Sequence, residues 1–295
     1  MFESFVPLRL RALVRLGWKR LREALDNRAA PHTDAERLQI EAEVAEGARI
    51  SNGYFALLFC SCGIAALGLL QSSAAVVIGA MLISPLMGPI MGMGMGVARL
   101  DARAFERAAV SLALGAAVSV AASALIVFAS PLRDVTPEIL ARTRPTLLDL
   151  IVAILSGIVG AYVLITKRPG VVAGVAIATA LMPPLAVVGY GVATRAWGVA
   201  GGALLLFLTN VVAILGAGVA VARRYGFTPV IRRRRRWEEI ALVATLLLLS
   251  LPLAVSLRDI VVEARETARV RNAIQQVFAT SDQHITDLQV RAGGG

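Results

Sequence analysis

Ionisable side chains are nearly missing from the long apolar runs of this chain, and histidine and cysteine are scarce throughout. No Glu, Lys or His lies inside an apolar run, and both histidines, His32 and His284, fall outside them. Polar residues within the runs are few: Asp149 lies at the end of one run and Asn210 near the middle of another. Proton relays and cation pumps keep ionisable groups within the membrane, so that class is disfavoured. Cys60 and Cys62 are the only cysteines. Two residues apart on a helix they point to opposite faces, which argues against joint chelation or a disulfide and predicts two buried small apolar side chains. No His-Glu-x-x-His, no nucleophile beside a base and no Gly-x-x-x-x-Gly-Lys-Ser/Thr loop occurs, so no enzyme, metal or cofactor is expected. Residues 1–30 are basic but carry no uninterrupted apolar core, so nothing there reads as a cleaved leader.

What is abundant is apolar. The 295 residues are 57% hydrophobic with a mean hydropathy of +0.71, a composition of polytopic membrane proteins rather than soluble domains. Seven runs, at 51–70, 75–98, 107–130, 148–166, 170–193, 198–222 and 239–257, each reach the roughly 20 residues that a helix needs to cross hydrocarbon. The net charge of +10 follows topology, not nucleic acid. With the N-terminus inside, 21 Lys and Arg fall on the cytoplasmic side and nine outside. The positive-inside rule then gives N-in, C-out. Arg232–Arg236 and a basic amphipathic helix over residues 8–28 (apolar stripe Leu10, Leu13, Val14, Trp18, Leu21, Leu25) suit anionic lipid at the cytoplasmic face.

One run is repeated. Residues 76–98 align without gaps on 171–193, an offset of 95, with ten identities: Val76, Val77, Gly79, Leu86, Met87, Pro89, Gly94, Gly96, Val97 and Ala98. Each copy is the middle of three spans. Three is odd, so the copies must run oppositely across the membrane, an arrangement recurrent in secondary transporters with broken helices. The fold class expected is an all-α polytopic membrane protein of seven transmembrane helices with an inverted 3+3 repeat, broken middle helices and a short helix-strand tail. Its expected divisions are a cytoplasmic helical region 1–50, repeat one 51–130, an external loop 131–145, repeat two 146–225, a basic loop 226–238, the seventh span 239–257 and an extracytoplasmic tail 258–295. Thr33-Asp34-Ala35-Glu36 has the capping-box pattern, and Pro145 suits the first turn of the fourth span with Thr143 to Thr146 as caps. The strand-like 284–290 is not stable alone. It must pair in a homo-oligomer, or the tail is a piece of a longer one.

Both middle spans are interrupted at one depth, by Ser84-Pro85 and Pro89 in the first and Thr179, Pro183 and Pro184 in the second. Proline removes a backbone donor and clashes with the carbonyl four residues earlier. In a bilayer such unwinding survives only where it is buried in protein or lines a wet cavity. A kink used purely for packing is one reading; duplication at matched positions favours a substrate site made of these residues and Asn210. The alternative for Asn210 is an interhelical hydrogen bond. Gly88, Gly92 and Gly96 give one helix a smooth face for close packing, and Met81, Met87, Met91, Met93 and Met95 read as flexible filling. Arg142, Arg144 and Asp149 form a candidate external gate or anion funnel, with an Arg144–Asp149 salt bridge capping the fourth span as the plainer reading. The function expected is a secondary carrier or channel for a small neutral or anionic solute. A membrane scaffold or sensor, working through its tails, is the alternative.

Three stretches carry a resemblance: Ile78 to Pro89, Ala141 to Leu150 and Ala178 to Ala186. Over about residues 45–225 the chain resembles the bacterial and archaeal "uncharacterised hydrophobic domain" proteins, domain-of-unknown-function family 389. The resemblance implies a polytopic prokaryotic membrane protein and brings no activity, substrate or cofactor with it. Relatives often carry a soluble domain after the last span, and the ending Arg291-Ala292-Gly293-Gly294-Gly295 departs from that.

Overall fold

The computed structural model describes residues 33–167 and 181–228, and nine helices lie within them. They are α1 (Asp34–Gly47), α2 (Asn52–Leu70), α3 (Ala74–Ile83), α4 (Met87–Ala98), α5 (Ala102–Ala129), α6 (Pro137–Leu140), α7 (Leu147–Thr166), α8 (Met182–Ala193) and α9 (Trp197–Arg224). Among the described residues there is no strand. Helices α2, α5, α7 and α9 are long and apolar enough to cross a membrane, and α3 with α4, bent by 53°, makes a fifth such span. They coincide with the runs expected at 51–70, 75–98, 107–130, 148–166 and 198–222. Of the run 170–193 the described part is the short apolar helix α8. The amphipathic helix at 8–28, Arg232–Arg236, the seventh run, the tail and its strand, and Thr179 lie outside the described residues.

Local chemistry sets the helix starts. Thr33 and Glu36 form the expected capping box, with Thr33 N–H donating to Glu36 Oε2 at 2.8 Å and Glu36 N–H to Thr33 Oγ1 at 3.3 Å. Ser51, Ser73 and Asp101 cap α2, α3 and α5 with their side-chain oxygens alone. Thr146 caps α7, so Pro145 sits one residue ahead of the cap and not in the first turn as expected.

The 95-residue offset recurs in the element boundaries. Starts and ends of α4 and α8 differ by 95, as do those of α5 and α9, and α2 and α7 start 95 apart. The left-handed turn residues obey the same offset: Ser72 (φ 52°) with Lys167 (φ 51°), and Leu100 (φ 54°) with Arg195 (φ 58°). A Cβ on Gly96 would lie 2.7 Å from Phe105 N and 3.1 Å from Asp101 O, and one on Gly191 would lie 2.7 Å from Ala200 N and 3.0 Å from Ala196 O. At both turns only glycine lets the next helix start so close.

Helices are tied by buried hydroxyls. Ser61 Oγ donates to Ala80 O (2.8 Å), Ser123 Oγ to Ala186 O (2.6 Å) and Tyr54 OH to Ser111 O (2.9 Å). Each such bond between membrane helices contributes about 0.6 kcal/mol. Cys62 is buried and its Sγ donates to Ser119 O, whereas Cys60 is exposed on the other side of α2. The expected opposite faces hold. The expected burial of both does not, because among the described residues no helix packs on the face of α2 carrying Cys60. Met81, Met91, Met93 and Met95 fill the core.

Helix α1 packs along α4, from its end back to Gly88, and across the ends of two further helices. Its Ile40 and Val44 are buried against Met95 and Ala98 of α4, Ile165 of α7, and Ala222 and Phe227 at the end of α9. Glu41 pairs with Arg99, and Glu43 with Lys167 at 2.8 Å. Burial pushes the Glu41 carboxyl above its ordinary value of 4.5, opposed by the Arg99 and Arg37 guanidiniums. The pair therefore sets where α1 docks more than how firmly. The glycine face of α4 makes this possible: a Cβ at Gly88 would collide with Gly47 O of α1, and one at Gly92 would lie 2.8 Å from Ala48 Cβ.

Candidate functional site

The chain breaks between α3 and α4 for an identifiable reason. Pro85 has no N–H to offer Met81 O, which instead accepts from Ser84 N–H at 3.3 Å. Ala80 O, freed of its usual partner, accepts from Ser61 Oγ. Ser84 itself is extended (φ −67°, ψ 124°). Its Oγ is buried and has no hydrogen-bond partner among the described residues. Helix α4 then restarts at Met87 with no side-chain cap, and Pro89 lies in its first turn, where a missing N–H costs nothing. Pro85 is thus the breaking residue, and Pro89 belongs to the new start.

In the second copy Pro183 and Pro184 likewise occupy the first turn of α8, buried, behind Leu181, again without a side-chain cap. The starts of α4 and α8 thus present backbone N–H groups and a positive dipole end with no side-chain cap among the described residues. Thr179, the counterpart of Ser84, lies outside the described residues.

Packing sets the depth of these two starts. Arg99, after α4, pairs with Glu41 of α1, and Ala222 and Phe227, at the end of α9, pack on Ile40 of α1. Helices α4 and α9 therefore run in the same direction, toward the face covered by α1. They meet at Gly94, whose nearest neighbours lie at Leu215, Gly218 and Val219. Seven residues earlier on both helices, Met87 is level with 208–212 of α9. Helix α8 runs the other way: Tyr190 OH, near its end, donates to Arg133 O (2.6 Å) in the loop after α5. From the contact of Gly191 with Ala200, nine residues back along α8 and nine forward along α9 bring Met182 level with Thr209. Both half-helix starts thus reach the depth of Thr209 and Asn210.

Thr209 is 1% and Asn210 3% exposed. Thr209 Oγ1 is buried without a hydrogen-bond partner among the described residues. The sequence reading missed Thr209; its position next to Asn210 in an otherwise apolar run was the available signal. The α1 side of this level is closely packed among the described residues. Met91, Met95, Leu164 and Ile165 close around a space of about 10 Å³, at the lower limit for a single water. Ile40 and Val44 lie above it.

The expected gate is not a cluster. Arg142 donates to Glu138 Oε2 (2.7 Å) and Glu138 O (2.5 Å), which anchors it to α6. Asp149 does not bridge to Arg144: its Oδ2 accepts Thr146 N–H (2.8 Å) and Thr146 Oγ1–H (2.7 Å) in a second capping box. An N-terminal dipole and two local donors hold that carboxylate better than a flexible arginine would. Arg144 is exposed and makes no ion pair among the described residues. It stands as a positive charge beside the start of α7.

Similarity to known proteins covers this same region. The model of the family described as Domain of unknown function (DUF389) matches residues 81–216. An uncharacterized protein of Methanocaldococcus jannaschii is 27% identical over 182 residues, covering 62% of this chain. The chain spans 57% of that relative's length. No solved structure matches. Residues 81–216, which hold the starts of α4 and α8 and the Thr209–Asn210 pair, are thus the part of the chain similar to the family described as Domain of unknown function (DUF389).

Proposed function

We propose that the chain is a membrane transport protein, a carrier or channel for a small neutral or anionic solute. The observation that carries the reading is the pair of uncapped half-helix starts, 95 residues apart, reaching the depth of Thr209 and Asn210 from opposite directions. Broken helices that end near the midplane and belong to inverted repeats build the solute sites of many secondary transporters. Residues 51–130 and 146–225 are the two repeats of this proposal, in a prokaryotic inner membrane with the α1 face cytoplasmic. Ser84 and Thr179 supply hydroxyls at the two breaks, and Asn210 supplies an amide. Pro85, Pro89, Pro183 and Pro184 hold the helix ends open. Helix N-termini favour negative charge, and backbone N–H and hydroxyl groups also serve an uncharged polar solute. Arg144 raises anion concentration at the outer mouth.

Flux of a solute panel in proteoliposomes tests this. Ser84→Ala/Thr179→Ala should lower uptake of the transported solute at least about tenfold, the effect of about 1.4 kcal/mol lost at the site. Arg144→Ala should slow uptake of an anion at low ionic strength and lose that effect near 1 M salt, where the screening length is about 3 Å. No flux across a broad panel with folded protein would overturn the reading in favour of a scaffold or sensor.

A further inference from the structure

We propose that the groove between α1, α4 and the start of α5 binds one anionic phospholipid of the surrounding membrane. This site is separate from the proposed transport site. The groove is open and holds about 1250 Å³, more than the roughly 300–1000 Å³ of sites for small soluble ligands. Its floor is apolar, formed by Ala48, Gly92 and Ala108, and its rim is charged.

The rim charges are not equivalent. Glu41 is engaged by Arg99. Asp101 Oδ1 accepts the N–H groups of Arg103 and Ala104 as the cap of α5. Glu46 faces Arg49 at 3.7 Å, both largely exposed. Arg103 and Arg107 form no ion pair among the described residues, and Arg107 Nε–H donates to Arg103 O at 3.2 Å, which keeps the two guanidiniums on one side of α5. Continuing down that side, Val110 and Leu114 are 48% and 44% exposed. The steps from 103 to 107, 110 and 114 are those of a single helix face.

Glu106 lies between them on the same rim, so two guanidiniums against one carboxylate leave one net positive charge there; above an apolar stripe, at the end of a membrane-spanning helix, they recognise an amphiphile with an anionic head. A phosphate fits the guanidiniums, and an acyl chain fits Val110 and Leu114. A soluble anion makes no use of the stripe, and a zwitterionic lipid gains less from the arginines.

The test uses the full chain, stripped of lipid in detergent. Native mass spectrometry reads adducts during titration with phosphatidylglycerol, phosphatidylcholine or inorganic phosphate. One phosphatidylglycerol per chain should be retained, and millimolar phosphate should not displace it. Arg103→Gln/Arg107→Gln should weaken it about 30-fold, from the usual contribution of two basic residues at an anionic surface. Leu114→Asn leaves both guanidiniums in place and should also weaken the lipid, by several-fold. Equal retention of phosphatidylcholine, displacement by phosphate, or undiminished binding in either variant would overturn the proposal.

Discussion

Gly189→Ala should cost about 3 kcal/mol or more, whereas Gly94→Ala, 95 residues earlier at the matching position, should stay within about 1 kcal/mol of wild type. A Cβ at Gly189 would lie 2.5 Å from Ser123 Cβ and 2.6 Å from Val120 O on α5. Neither atom can rotate aside. Helices α5 and α8 would have to separate, lengthening the 2.6 Å bond from Ser123 Oγ to Ala186 O and loosening a close-packed seam. At Gly94 the nearest atoms, Leu215 O and Val219 N, are 3.8 Å away, an ordinary contact. An added methyl there fits, and alanine's helix propensity exceeds glycine's by about 1 kcal/mol. Thermal melting of the two variants in one detergent measures the difference. Equal losses would mean that α4 and α8 do not pack as described.

Ile40→Asp should detach α1 while the membrane helices stay folded. Ile40 and Val44 are the buried residues of this helix, 1% and 4% exposed. Burying them contributes about 3–6 kcal/mol together. The Glu43–Lys167 pair is 48% and 38% exposed and adds at most about 1 kcal/mol. Aspartate removes close to half of the apolar term and asks for an unpaired charge among Met95, Ala98, Ile165 and Phe227, at several kcal/mol. Docking cannot absorb that. Hydrogen exchange should show α1 amides losing protection about a hundredfold or more, with α2, α5 and α9 unchanged. Retained protection in α1 would contradict the account of how it is held.

Much of this was legible in the sequence because it is local or periodic. The offset of 95 carried over to helix boundaries and to the left-handed turns at Leu100 and Arg195, since each copy repeats the residues that stop and restart the chain. The capping box at Thr33 and the break at Pro85 were readable because a cap or a missing N–H acts within four residues. Asp149 was misread for the opposite reason: three local groups compete with Arg144, and spacing alone does not rank them. Pro89 was counted as a break, yet three residues into a new helix its ring is harmless. The docking of α1 was invisible, because Ile40 and Val44 are only two apolar positions in an acidic helix, and what they meet is three other helix ends. Thr209 escaped notice because a hydroxyl in an apolar helix usually bonds its own backbone.

The proposed transport mechanism stands on the two half-helices entering from opposite sides of the membrane, and two-sided cysteine labelling tests that most directly. Arg103 and Gly198 occupy matching positions after α4 and α8, both exposed, and a Cβ at Gly198 meets nothing within 4 Å. With Cys60 and Cys62 replaced by alanine, Arg103→Cys should react with an impermeant maleimide only from the cytoplasmic side and Gly198→Cys only from the outside. Labelling of both from the same side would contradict the inverted arrangement, and with it the proposed site.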